Sequence, residues 1–97
     1  MNKLQAAIDR LLQDQADETN LIEALWQLFA ASVAVPTGGV QWIESRRCFF
    51  MGAAVLFEAI QRVLDPGTEP TDRDLARMGR IVRELERFQA DVASGVA

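Results

Sequence analysis

The run Cys48-Phe49-Phe50-Met51-Gly52-Ala53-Ala54-Val55-Leu56-Phe57 constrains this chain more than any other feature. It carries no charge and no strong hydrogen-bonding side chain, and it lies midway along residues 40–64, whose pattern predicts one helix. A helix that is apolar on every side cannot comfortably face water on any side. This stretch is therefore expected to be enclosed by protein, its own or a partner's. On a helical wheel, Trp42, Phe49, Ala53, Leu56, Ile60 and Leu64 make one face, while Met51 and Val55 lie roughly opposite with Cys48 beside them. The first face can pack on the chain's own helices, but the second needs another surface. Gly52 costs about 1 kcal/mol against Ala in a helix interior, which fits the close approach of a second helix backbone. Glu44, Arg47, Glu58 and Arg62 flank the second face, so any contact there is short. Two readings follow. One is a homodimer or protein-partner interface carried by Cys48, Phe49, Phe50, Met51, Gly52 and Val55; the other is a central helix wrapped by its own three neighbours. The first is the expectation.

Size and composition lean the same way. A chain of 97 residues is expected to form one helical domain, residues 1–97. At that length it buries only roughly 60–65% of its unfolded surface. Yet 49% of its residues are hydrophobic, so self-association is favoured. The net charge of −4 resides entirely before Ser45, because the eight arginines that follow are matched by eight acids. Overall acidity argues against nucleic acid or an anionic membrane as the partner. The chain has one Cys and no His or Tyr. It can therefore build no intrachain disulfide and no Cys/His zinc site from one copy, and no metal or cofactor is expected. A lone Cys fits a reducing cytoplasm. Met1-Asn2-Lys3 runs straight into an amphipathic segment, not the apolar core of a signal peptide. No uncharged apolar stretch reaches the ~18 residues of a membrane span.

The helical period holds along the whole chain. Leu4, Ala7, Ile8, Leu11 and Leu12 stripe residues 3–15, with Asn2 and Gln5 spaced as a capping box. Residues 13–18 are polar without Gly or Pro. Residues 21–34 follow, striped by Ile22, Leu25, Trp26, Phe29 and Val33, with Asn20 and Glu23 spaced as a second box. A heptad register runs unbroken through Gln15 and Glu18, so residues 3–34 read as two helices or as one continuous or kinked helix. Pro36-Thr37-Gly38-Gly39 is a clear break. Asp65-Pro66-Gly67 ends the third segment. Thr71 then caps a fourth, residues 72–93, with Asp72 and Asp74 favoured in its first turn by the helix dipole. Leu75, Met78, Val82, Leu85 and Val92 form its seam, widened by Ile81 and Phe88, and Gly95 can close it.

Several residues invite a chemical reading. Arg46 falls on the Trp42/Ile60 side, where a charge is unexpected. It reads as a defined ion pair or anion contact, or as an arginine lying across an apolar face and reaching an acid such as Glu18 or Glu23. Arg73, Arg77, Arg80 and Arg87 project from one side of the last helix and could contact phosphates. Glu84 and Asp91 share that side at i,i+4 spacing, which is the pattern of a solvated face. Cys48 lies near Arg47 and the helix start, but reads first as a small buried hydrophobe. The carboxylates at 14, 17 and 18 and at 72 and 74 lack the loop pattern of a calcium site. Gly38-Gly39 lacks the Lys of a phosphate loop, and Ser32, Ser45 and Ser94 have no His to activate them. No enzyme is expected.

Ser45-Arg46-Arg47-Cys48-Phe49-Phe50-Met51-Gly52-Ala53-Ala54, the loop Asp65-Pro66-Gly67-Thr68-Glu69-Pro70 and an Arg-rich helix with Glu84-Leu85-Glu86-Arg87-Phe88 near its end resemble short helical proteins of tailed-phage and prophage gene clusters. The resemblance covers residues 45–88. It implies helical character and a phage-derived origin and carries over no catalytic residue. The expectation is thus an all-α three- or four-helix bundle completed by homodimerisation, acting as a non-enzymatic interaction or assembly protein. The alternative is a small nucleic-acid-binding regulator using Arg73, Arg77 and Arg80.

Overall fold

The computed structural model describes residues 2–15, 17 and 20–97. Among them are four α-helices and no strand: α1 (Asn2–Gln15), α2 (Leu21–Ser32), α3 (Gly39–Val63) and α4 (Asp72–Ala93). The all-α expectation holds. Residues 3–34 form two helices: α1 stops at Gln15, and Asn20 is extended (φ −73°, ψ 96°) just before Leu21. Ala16, Glu18 and Thr19 of the intervening polar patch, and the Asn2 side chain of the first box, lie outside the described residues.

The helix ends have local causes. The second expected box does not form, because the Asn20 side chain makes no capping hydrogen bond; Glu23 is instead bound to Arg46. At the end of α2, the Ala34 N–H donates to Ala31 and the Val35 N–H to Ala30. This closure needs a left-handed residue, and it is Ala34, at φ 56°, that supplies it. A residue with a Cβ is strained there. At the end of α4 the same closure uses Gly95 at φ 81°, as the sequence suggests. Thr71 caps α4 in a full box with Asp74.

The chain divides into two compact units, Met1–Glu58 and Ala59–Ala97. The first unit is built on rings. Trp26 of α2 is wholly buried and Ala30, one turn on, nearly so. Trp42 meets Trp26 edge-on at 5.1 Å between ring centroids, and Phe49 lies 5.6 Å from Trp26 and 5.4 Å from Phe29. These tilted and edge-on arrangements suit aromatic quadrupoles. They place the Trp42/Phe49 face of α3 against α2, and α1 packs on α2 as well.

The second unit is built on a polar corner. Asp74 is buried, and its carboxylate accepts the N–H of Asp65 at 2.8 Å and that of Thr71 at 3.1 Å. The Thr71 hydroxyl donates to Asp65 at 2.6 Å and accepts from the Asp74 N–H at 3.1 Å. Arg77 donates to the Val63 carbonyl at the end of α3 and lies 3.7 Å from the Asp65 carboxylate. The corner thus satisfies orphan groups at the end of one helix and the start of the next.

Candidate interaction surface

The structure separates the six residues expected at the α3 interface. Phe49 is turned into the chain, against Trp26 and Phe29. Phe50 is half-buried and carries the Arg46 guanidinium over its ring, 4.6 Å from the centroid. Cys48, Met51, Gly52 and Val55 are exposed, Met51 at 65% and Val55 at 64%. A Cβ added at Gly52 would meet nothing within 4 Å. Among the described residues, no close contact explains a glycine in mid-helix. Within Met1–Glu58, the described helices do not supply the enclosure that the greasy run calls for.

Arg46 has found the acid that the sequence could not place. Its guanidinium grips the Glu23 carboxylate at 2.7 Å through Nη2 and at 3.2 Å through Nε. This hydrogen bond from Arg46 is the main cause that holds the Glu23 carboxyl below its ordinary value, and the same contact raises Arg46. The pair ties the first turn of α2 to α3. Beside it opens a groove of about 600 Å³, walled by Leu21, Ile22, Phe50 and Phe57 with the ion pair at one side. Among the described residues, the buried Trp26 Nε1 has no hydrogen-bond partner.

The arginines expected to contact phosphates fall into two groups. Arg77 is half-buried and committed to Val63 and Asp65 at the corner. Arg73 and Arg80 are exposed on α4. Sequence reasoning placed Asp74 in the dipole-favoured first turn and missed its larger role. The signal was the Thr71-x-x-Asp74 spacing, with a shorter acid where Glu or Gln is usual. The backbone donors Asp65 and Thr71 hold the Asp74 carboxyl below the ordinary range, against the opposing effect of burial.

Within its own unit the apolar seam of α4 is uncovered. Leu75 is 60% exposed and Leu85 54%, and Val82, Phe88 and Val92 are exposed with them. Among the described residues, no cluster of three or more His, Cys, Asp or Glu could hold a metal ion, and no helix is long and apolar enough to cross a membrane. No protein-family model, curated protein or solved structure matches the chain. Each unit leaves an apolar helix face exposed, α3 near the Arg46–Glu23 ion pair and α4 beyond the polar corner.

Proposed function

We propose that this is a non-enzymatic, cytoplasmic assembly protein whose helical bundle is completed by a second copy of the chain. Contact runs through the face of α3 that carries Cys48, Met51, Gly52 and Val55, with Phe50 at its edge. The observation behind this is the exposure of Met51 and Val55 around an otherwise unexplained Gly52. Surface area supports it. The chain exposes 7887 Å², whereas two ordinary globules of the sizes of its two units would expose about 6,700 Å². At ~25 cal/mol per Å², burying these side chains yields several kcal/mol before association costs are subtracted. The likeness of residues 45–88 to prophage-encoded helical proteins supports an accessory role in such a system.

The test is size-exclusion chromatography of Met51→Glu beside the exposed-surface control Arg73→Glu. Met51→Glu should elute as a monomer with its helix content intact, and the control should stay dimeric. Association should also be nearly independent of salt. A wild-type chain that is already monomeric, or a dimer broken by Arg73→Glu or by salt, contradicts the reading; binding of DNA that weakens steeply with salt would put the arginines of α4 in its place.

A further inference from the structure

The apolar side chains of α4 follow a strict register. Leu75, Met78, Val82, Leu85 and Val92 recur at alternating three- and four-residue steps, interrupted only by Gln89, along a helix about 33 Å long. Arg73, Arg80 and Arg87 lie on the far side, and Ile81 and Phe88 widen the seam on one flank. The polar corner anchors the start of α4, yet Leu75, one residue beyond Asp74, remains 60% exposed. The second unit therefore holds this seam out and does not cover it.

We propose that α4 makes a homodimer contact of its own, pairing antiparallel with α4 of the second copy. In that register the seam complements itself. Leu75 meets Val92 of the second copy, Met78 meets Gln89 and Val82 meets Leu85, each pair then repeated by the two-fold axis. The flanks fit as well. Glu86 lies beside Gly79 of the second copy, where it meets neither like charge nor bulk, and Ile81 lies beside Phe88. A parallel pairing would set Glu86 against Ile81 and Gln89 against itself. The amount of surface also fits. The seam exposes on the order of 600 Å² per chain, so pairing two copies of α4 would bury up to about 1,200 Å², the lower end of standard interfaces. This pairing rests on the homodimer reading but uses a different surface, in the other unit.

The experiment is disulfide trapping in the full-length chain on a Cys48→Ala background. Mixing Leu75→Cys with Val92→Cys chains should give the mixed cross-linked dimer on mild oxidation, at least tenfold in excess of the Leu75→Cys self-pair. Self-cross-linking of Leu75→Cys alone, in preference to the mixed pair, would overturn the antiparallel register. The proposal also fails if neither cross-link forms while wild type is a dimer that Met51→Glu dissociates, because α3 alone then makes the interface. A monomer whose Leu85→Cys thiol is shielded from labelling sinks it too, since α4 would then lie against its own chain. Conversely, mixed cross-linking that persists in a Met51→Glu background leaves α4 pairing standing and removes the α3 contact.

Discussion

The two units of this chain solve the problem of small size in opposite ways. Among the described residues of Met1–Glu58 the buried groups are Trp26 and Ala30, and Trp26 is surrounded by Phe29, Trp42 and Phe49. In Ala59–Ala97 the buried group is a carboxylate, and the leucines of the same unit face outward. An aromatic cluster gains from being removed from water and gives modest direction. A carboxylate that accepts two backbone N–H groups also fixes geometry, because each bond is directional and an unmade one is costly. The first unit therefore stabilises itself, and the second mainly orients α4. Both units leave apolar side chains outside, and these are what the proposed second copy would bury.

Substitutions can break this contrast. The largest effect is expected at Trp26→Ala, which should destabilise the first unit by about 3–5 kcal/mol. Hydrogen exchange should then accelerate through α2 and the first half of α3, while the Asp65 and Thr71 amides, which donate to Asp74, keep their protection. Loss of protection at the corner in the same variant would mean that the two units unfold as one. Thr71→Ala should cost about 1–2 kcal/mol by removing the cap, with the exchange pattern reversed: Asp65, Thr71 and the first turn of α4 open, and the Trp26 cluster does not. Ala34→Gly should stabilise the first unit by about 1 kcal/mol, because glycine adopts the left-handed conformation without strain. A rise in the denaturation midpoint checks this, and a fall would show that the Ala34 methyl makes a contact worth more than the strain.

The mildest perturbation is pH. The carboxyls of Asp74 and Glu23 are both held low in the folded chain. Their contribution is full above the ordinary carboxylate range, around pH 4. It is lost as pH falls from there through the lowered folded values. Denaturant midpoints should be flat from neutral to about pH 5 and decline below pH 4. In Asp74→Asn the acid decline should be shallower, with the remainder due to Glu23 and other acids. An unchanged acid decline in that variant would remove Asp74 from the account.

The helices were legible because their causes are local. Thr71 as a cap, Gly95 as a closing residue and the break after Val35 are all written within a few residues of where they act. The continuous heptad through Gln15 and Glu18 carried less information, since polar residues at those positions give a longer helix nothing to bury. What could not be read depends on parts distant in sequence. The choice of Glu23 by Arg46 needs α2 and α3 to be packed first. The Asp65 amide reaches Asp74 only once the intervening loop has folded back. Ala34 was hidden for another reason. Gly38 and Gly39 advertise the break, but the residue that turns at the end of α2 is one whose Cβ disfavours that conformation. The exposed face of α3 was half legible. Helical spacing put Met51 and Val55 on a second face, whereas Phe49 belongs to the aromatic cluster and Phe50 to the Arg46 contact.

Sedimentation equilibrium of the full-length wild-type chain, from high nanomolar to high micromolar concentration, tests the central claim most directly. A completed homodimer predicts a mass of twice 10.8 kDa through the micromolar range, falling toward the single-chain value only on dilution. A mass of 10.8 kDa at every concentration, with the chain cooperatively folded, would contradict it.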